Sequence, residues 1–208
     1  MKKRFFPLFF LSFVSSPLLL AQSNSVSAPA APERHAFGEK LQLHGIPNAG
    51  KISDSLYRGA QPHEKGFFEL KKLGITTIVD LRSENREKVQ WERAHAESAG
   101  IQFVHIPVGG WAAPSDEQVA QFLRLFRDDP QQKIFVHCHL GEDRTGVFVA
   151  AYRMVLEKWP VEQAEKEMYY FGFNGFWHPA MKSFVRGFPA HLNSSPELSS
   201  LHPVGTQP

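Results

Sequence analysis

Cys138 is the chain's single cysteine, and Arg144 stands six residues after it in the stretch VHCHLGEDRTG, residues 136–146. A β-type run, KIFV, leads into this stretch, and a helix-type pattern, VFVAAYRMV, leaves it. A loop so placed can curl the amides of His139, Leu140, Gly141 and Glu142 toward one point. Together with the helix N-terminus, which carries about half a positive charge, they form a cradle for an anion. Gly141 permits backbone geometry that a side chain would block, and Gly146 lets the helix start pack closely. The same cradle suits a thiolate. A free cysteine titrates near ~8.5, and a helix N-terminus with nearby cations lowers that by several units. Cys138 is therefore expected to be ionised at neutral pH.

Arg144 supplies a planar fork that matches two phosphate oxygens and keeps its charge at any working pH. A phosphate held between fork and sulfur would present phosphorus to the nucleophile, giving a phosphocysteine that water then hydrolyses. Thr145 is placed to hydrogen-bond the sulfur as it leaves, and His137 to orient the loop through its ring nitrogens. On these residues the chain resembles the cysteine-dependent protein tyrosine and dual-specificity phosphatases. All six fixed positions of their signature are present: His137, Cys138, Gly141, Arg144, Thr145 and Gly146. The resemblance extends more loosely over residues 50–175, through LYRGAQP and VDLR, toward the compact dual-specificity-like branch. It implies a protein tyrosine phosphatase-like fold and a phosphomonoester hydrolase that needs neither metal nor cofactor.

The leaving oxygen needs a proton, so a carboxylic acid must stand within reach. The family usually supplies it from a loop about thirty residues before the cysteine, where this chain reads HIPVGGWAAPSDE and offers only Asp116, at a helix start. Asp143, directly before the arginine, is the preferred candidate, and Asp116 is the alternative. Each also has a structural use: Asp116 can complement the helix dipole, and Asp143 can bond the loop amides. Glu142 and Asp143 disfavour a heavily charged substrate, which favours phosphotyrosine-like or other modestly charged monoesters, on a protein or a small molecule. Trp111 and the aromatic run YYFGFNGFW, 169–177, either wall the pocket or belong to the core.

Other readings compete. A lone cysteine is often a buried small hydrophobe, but that leaves the arginine, glycines and threonine unexplained. A metal site from His137, Cys138 and His139 fails because strand neighbours point to opposite faces and no further ligand pair has metal-like spacing. A rhodanese-type sulfurtransferase has no use for the Arg-Thr-Gly ending. A module that recognises phosphate with little or no turnover is the serious alternative, motivated by the displaced acid.

The elements that must position this loop alternate. Strands are expected at 54–59, 75–81, 101–107 and 133–137, and helices at 64–73 and 85–100. A further helix is capped by Ser115, with Val119, Phe122, Leu123 and Phe126 on one stripe. Three more follow: one after the loop with Val147, Ala151, Met154 and Val155 on one face, one from Pro160, and a short one at PAMKSFVRGF. The 75–81 run, almost wholly apolar, suits a strand buried on both faces. The fold class is α/β, a central, largely parallel sheet flanked by helices, and ligands bind such sheets beyond the strands' carboxyl ends.

At the start, MKKR precedes an apolar stretch from Phe5 to Leu20, the order of a secretory signal peptide over residues 1–21. A linker then spans 22–44, the phosphatase domain 45–188 and a disordered tail 189–208. Export to the periplasm or outside is expected, with no stable membrane association after cleavage; retention as an N-terminal anchor is the alternative. The formal charge is +2, but without Lys2, Lys3 and Arg4 it is 20 basic against 21 acidic residues. No basic field remains for nucleic acid.

Overall fold

The computed structural model describes residues 36–199 and 201. Its sheet has six strands in the order β1-β2-β3-β6-β4-β5. They are β1 Glu39–Lys40, β2 Gly50–Lys51, β3 Leu56–Gly59, β4 Thr77–Arg82, β5 Gln102–Val108 and β6 Ile134–His137. The four longer strands run parallel, β3 with β6, β6 with β4 and β4 with β5, while β1 and β2 add an antiparallel edge. β6 lies between β3 and β4, and every residue of all three is buried, as the continuous apolar runs require.

Helices cover both faces. α1, Glu64–Lys72, and α2, Arg86–Ser98, pack one side over Tyr57, Ile78 and Phe135. α3 (Asp116–Asp128), α4 (Asp143–Leu156), α5 (Val161–Tyr170), α6 (Pro179–Ser194) and the single turn α7 (Pro196–Ser199) build the other side, over Leu56, Val79 and Val136. Ser115 closes a capping box with Gln118 at the start of α3, so the side chain and backbone amides satisfy each other. α4 is buried from Arg144 to Val155 on every side, not on the one face that the spacing suggested, because α3, α5 and α6 enclose it.

Two boundaries differ from the sequence reading. The end of the expected linker carries β1, whose Glu39 and Lys40 pair with Lys51 and Gly50. In the expected tail, α6 runs on through Pro189 to Ser194, and Leu198 of α7 is fully buried in the main core. One apolar side chain among serines leaves too weak a pattern to announce that helix. The expected signal segment, the first part of the linker and the end of the tail lie outside the described residues.

Candidate active site

Strand β6 delivers Cys138 to the carboxyl edge of the sheet, and α4 begins five residues later at Asp143. The loop between them is shaped by what holds its carbonyls. The Asn48 side-chain amide donates to the carbonyls of Gly141 (3.2 Å) and Phe171 (2.9 Å), and lies 3.4 Å from that of Leu140. Arg58 Nη2 donates to the Gly141 carbonyl, and the Gln61 amide to the His139 carbonyl (3.2 Å). In a planar peptide N–H and C=O point opposite ways, so carbonyls fastened outward turn amides inward. The amides of residues 139–142 accordingly donate to no acceptor among the described residues, and α4 starts without a side-chain cap. The result is a set of unspent donors at the positive end of a helix, in the loop that carries the buried Cys138 sulfur.

Gly141 is indispensable to this shape. Its φ is +70°, and a Cβ there would lie 2.5 Å from the Ala60 nitrogen and closer still to the Gly59 carbonyl. At Gly146 the atoms nearest to a Cβ would be those of the Met168 side chain, 3.3 Å away, so helices α4 and α5 approach closely there. Thr145 is fully buried, and its Oγ1 has no hydrogen-bond partner among the described residues.

Arg144 is anchored end-on. Its Nη1 and Nη2 each lie 2.8 Å from an oxygen of Glu84, and Nη1 also reaches the Val108 carbonyl at 3.1 Å. This leaves the Nε–Nη2 edge of the guanidinium, with two parallel N–H bonds, for two oxygens of an anion. The bond from Arg144 holds the Glu84 carboxyl down at about 2. Burial works against the charge of Arg144, but the Glu84 contact and the neighbouring sulfur raise its pKa. Glu84, on the loop after β4, gave no sequence signal; only the fold brings it across.

Behind the loop lies a closed charge cluster. His137 Nδ1 bonds the Cys138 carbonyl at 3.1 Å, and its Nε2 is 2.6 Å from Glu92 Oε1 of α2, a contact whose directions miss hydrogen-bond geometry. Arg82 forms ion pairs with Asp80 (2.8 Å) and Glu92 (2.5 Å), and all four side chains are buried. Burial alone would push His137 down, but the charge of Glu92, its direct contact and the charge of Asp80 outweigh it and raise it to about 9. Asp80, Glu92 and His137 bring their donor atoms within 4.8 Å of one another, as metal ligands would. The Arg82 guanidinium and the charge on His137 already balance both carboxylates, so the set fits protein cations rather than a metal ion. In α2 the buried residues are Val89, Glu92 and Ala96, while Trp91 and Ala94 face outward.

This cluster makes stability depend on pH. The folded pKa of His137, about 9, stands above the unfolded value of ~6.5. Its stabilisation is complete below the lower value and is lost as pH rises through the upper one. The loss amounts to roughly 3 kcal/mol across that window. Urea unfolding of the wild type at pH 6 and at pH 10 should show the fall. Glu92→Gln should be less stable at pH 6 and lose most of the slope; an equal slope in both proteins would clear His137 as its source.

The two acid candidates have different surroundings. Asp143 sits at the first position of α4 on the rim of the loop; its Oδ1 accepts the Asn174 N–H at 3.1 Å, and its Oδ2 is 3.2 Å from His178 Nε2. His178 in turn stacks on Trp111, ring centres 4.8 Å apart. Asp116 pairs at 2.8 Å with His191 near the end of α6, a contact that ties α3 to α6. The aromatic run divides: Phe171 and Phe173 are buried, while Phe176 and Trp177, at 81% and 60% exposure, stand in solvent with Trp111 at 70%. His139 and Leu140 of the loop are also exposed, their backbones doing the shaping.

Residues 46–186 match the family described as "DSP-PTPase phosphatase fused to NAD+ Kinase". The chain is similar to the "Dual specificity protein phosphatase TpbA" of Pseudomonas aeruginosa strain UCBPP-PA14, 26% identical over 163 residues, 78% of this chain and 71% of that protein. A "Probable tyrosine-protein phosphatase" of Dictyostelium discoideum is 30% identical over 122 residues, 56% of this chain and 72% of that one. Among solved structures, that of P. aeruginosa TpbA superposes with a TM-score of 0.61 at 26% identity, covering 73% of this chain and 90% of that one. A cysteine-to-serine form of TpbA, solved in complex with pTyr, gives 0.61 at 25% identity, over 76% and 92%.

Proposed function

The chain belongs to this family of dual-specificity-like phosphatases, and we propose that it hydrolyses phosphotyrosine-type monoesters borne on polypeptides through a phosphocysteine. One observation carries the reading: amides with no acceptor among the described residues, a guanidinium held through its Nη atoms and a buried sulfur share one loop. The amides and Arg144 bind the phosphoryl oxygens and stabilise their charge as it spreads in the transition state. The sulfur attacks phosphorus, the S–P bond forms and the ester P–O bond breaks. The leaving oxygen takes its proton from Asp143. Water then attacks phosphorus and gives its proton to the Asp143 carboxylate. The S–P bond breaks, and inorganic phosphate departs with Thr145 Oγ1 free to bond the released sulfur.

The surroundings support a polypeptide. Beside the loop opens a groove of about 680 Å³ where Trp91, Lys88, Pro62, His139 and Leu140 offer mixed apolar and polar surface. It shares Gln61, Lys88 and His139 with a smaller recess of about 170 Å³ that reaches Glu84, the partner of Arg144. A substrate with chain on both sides of its phosphate can use that surface, whereas an isolated phosphate cannot. The complex of TpbA with pTyr supports the same substrate class, and the acidic Glu142 and Asp143 oppose polyphosphates.

Purified protein, supplied with a phosphotyrosine peptide and no divalent cation, should release phosphate and, on rapid acid quench, carry a phosphoryl group on Cys138. Binding without turnover would favour a phosphate-recognition module, and thiocyanate formed from thiosulfate and cyanide a sulfurtransferase. For the acid, Asp143→Asn should slow poor leaving groups about 100-fold and good ones far less, and should flatten the basic limb of the pH–rate profile. The same signature in Asp116→Asn would move the role there. We also place the mature enzyme outside the cytoplasm, on the charge and apolar order of residues 1–21; fractionation with N-terminal sequencing tests it.

A further inference from the structure

Arg58 is used by no step of this chemistry, yet it is a fully buried guanidinium on β3 beneath the catalytic loop. Its Nη2 holds the Gly141 carbonyl, its guanidinium carbon lies 4.2 Å from the centre of the Phe171 ring, and its Nε and Nη1 have no hydrogen-bond partner among the described residues. No carboxylate among the described residues bonds it. The buried carboxylate whose charge acts on it, Glu167, is committed to Arg153 at 2.9 and 2.6 Å and to the Gly38 amide at 2.7 Å. A buried cation without a bonded anion is costly, so the fold keeps one here only if an anion lies close by.

The Cys138 sulfur belongs to the same loop: Arg58 stands opposite Val136 of β6, two residues before Cys138, and holds the Gly141 carbonyl, three residues after it. We infer that Arg58 is a second cation of the nucleophile's cradle, a positioning residue that fixes Gly141 from below and holds the sulfur as thiolate. Burial lowers Arg58 to about 10, so it stays charged at neutral pH, and the charge on Cys138 acts on it more strongly than Glu167 or Glu142. Arg58 and Arg144 thus stand on different elements around one sulfur. The other charges there are His137 with Glu92 and Asp80 behind β6, Glu84 on Arg144, Glu142 and Asp143 in the loop, and Glu167 with Arg153 on the α5 side.

The inference rests on Cys138 as nucleophile, and alkylation by iodoacetamide followed against pH tests it without turnover. Relative to wild type, Arg58→Met and Arg58→Gln should move the alkylation midpoint up by about one pH unit or more. At pH values below that midpoint, kcat/KM should fall about tenfold per unit. Arg58→Gln can still donate to the Gly141 carbonyl, so it separates charge from hydrogen bond, and Arg58→Lys, which keeps charge, should shift less. If the methionine variant fails to fold, the glutamine and lysine variants decide. A midpoint unmoved in Arg58→Gln, whatever its thermal stability, overturns the inference. Should the wild type alkylate as expected but hydrolyse no phosphotyrosine peptide, the proposed function fails instead.

Discussion

Replacing Cys138 by serine is expected to lower turnover by about 10⁴-fold or more while leaving phosphate affinity largely intact. The hydroxyl is nearly isosteric with the thiol but is not ionised at neutral pH, and the loop supplies cations rather than a base to take its proton. The cradle itself does not depend on the sulfur. Its carbonyls are fastened by Asn48, Arg58 and Gln61, and Arg144 is fastened by Glu84 and Val108. Chemistry and binding should therefore separate. Steady-state hydrolysis of an aryl phosphate, alongside calorimetric titration with inorganic phosphate, measures both in the same preparation. Turnover comparable with wild type would place the nucleophile elsewhere, and loss of phosphate binding would show that the sulfur organises the loop.

Gly141→Ala is expected to be the most damaging change that removes no functional group, reducing kcat/KM by about 100-fold or more. Two costs coincide. A residue with a Cβ at φ +70° pays about 1–2 kcal/mol in backbone strain. The new methyl also overlaps the Gly59–Ala60 peptide, which cannot yield because β3 is hydrogen-bonded to β2 and β6. The loop must move instead, and with it the Gly141 carbonyl that Arg58 and Asn48 hold. Phosphate affinity should fall together with kcat/KM, which separates this variant from Cys138→Ser. Gly146→Ala serves as the comparison: the atoms nearest its methyl are those of the flexible Met168 side chain, and the effect should be small. Equal losses in the two glycine variants would mean that crowding in α4, not loop geometry, is what matters.

The loop and its frame were legible because their signals are local. Cys138, Gly141, Arg144, Thr145 and Gly146 lie within nine consecutive residues, and the strand and helix flanking them follow from runs of apolar residues. The alternation of elements implied a largely parallel sheet flanked by helices, and the capping serine of α3 fell where the spacing placed it. What the sequence could not show is which distant side chains close around the loop. Glu84, Glu92 and Arg58 read as ordinary surface charges in a loop, a polar helix and a strand. They become the clamp on Arg144, the counter-ion of His137 and the guanidinium that holds the Gly141 carbonyl only because β3 and β4 flank β6 in parallel register, with Arg58 opposite Val136 and Asp80 opposite His137.

Local pattern determines which segments fold and where the nucleophile stands, since periodicity and backbone dipoles act over a few residues. Burial of charge is different: a carboxylate or guanidinium goes inside only against a partner of opposite sign, and that partner comes from another element. Tertiary structure alone therefore decided how the thiol is surrounded, and which exposed aromatics border its entrance.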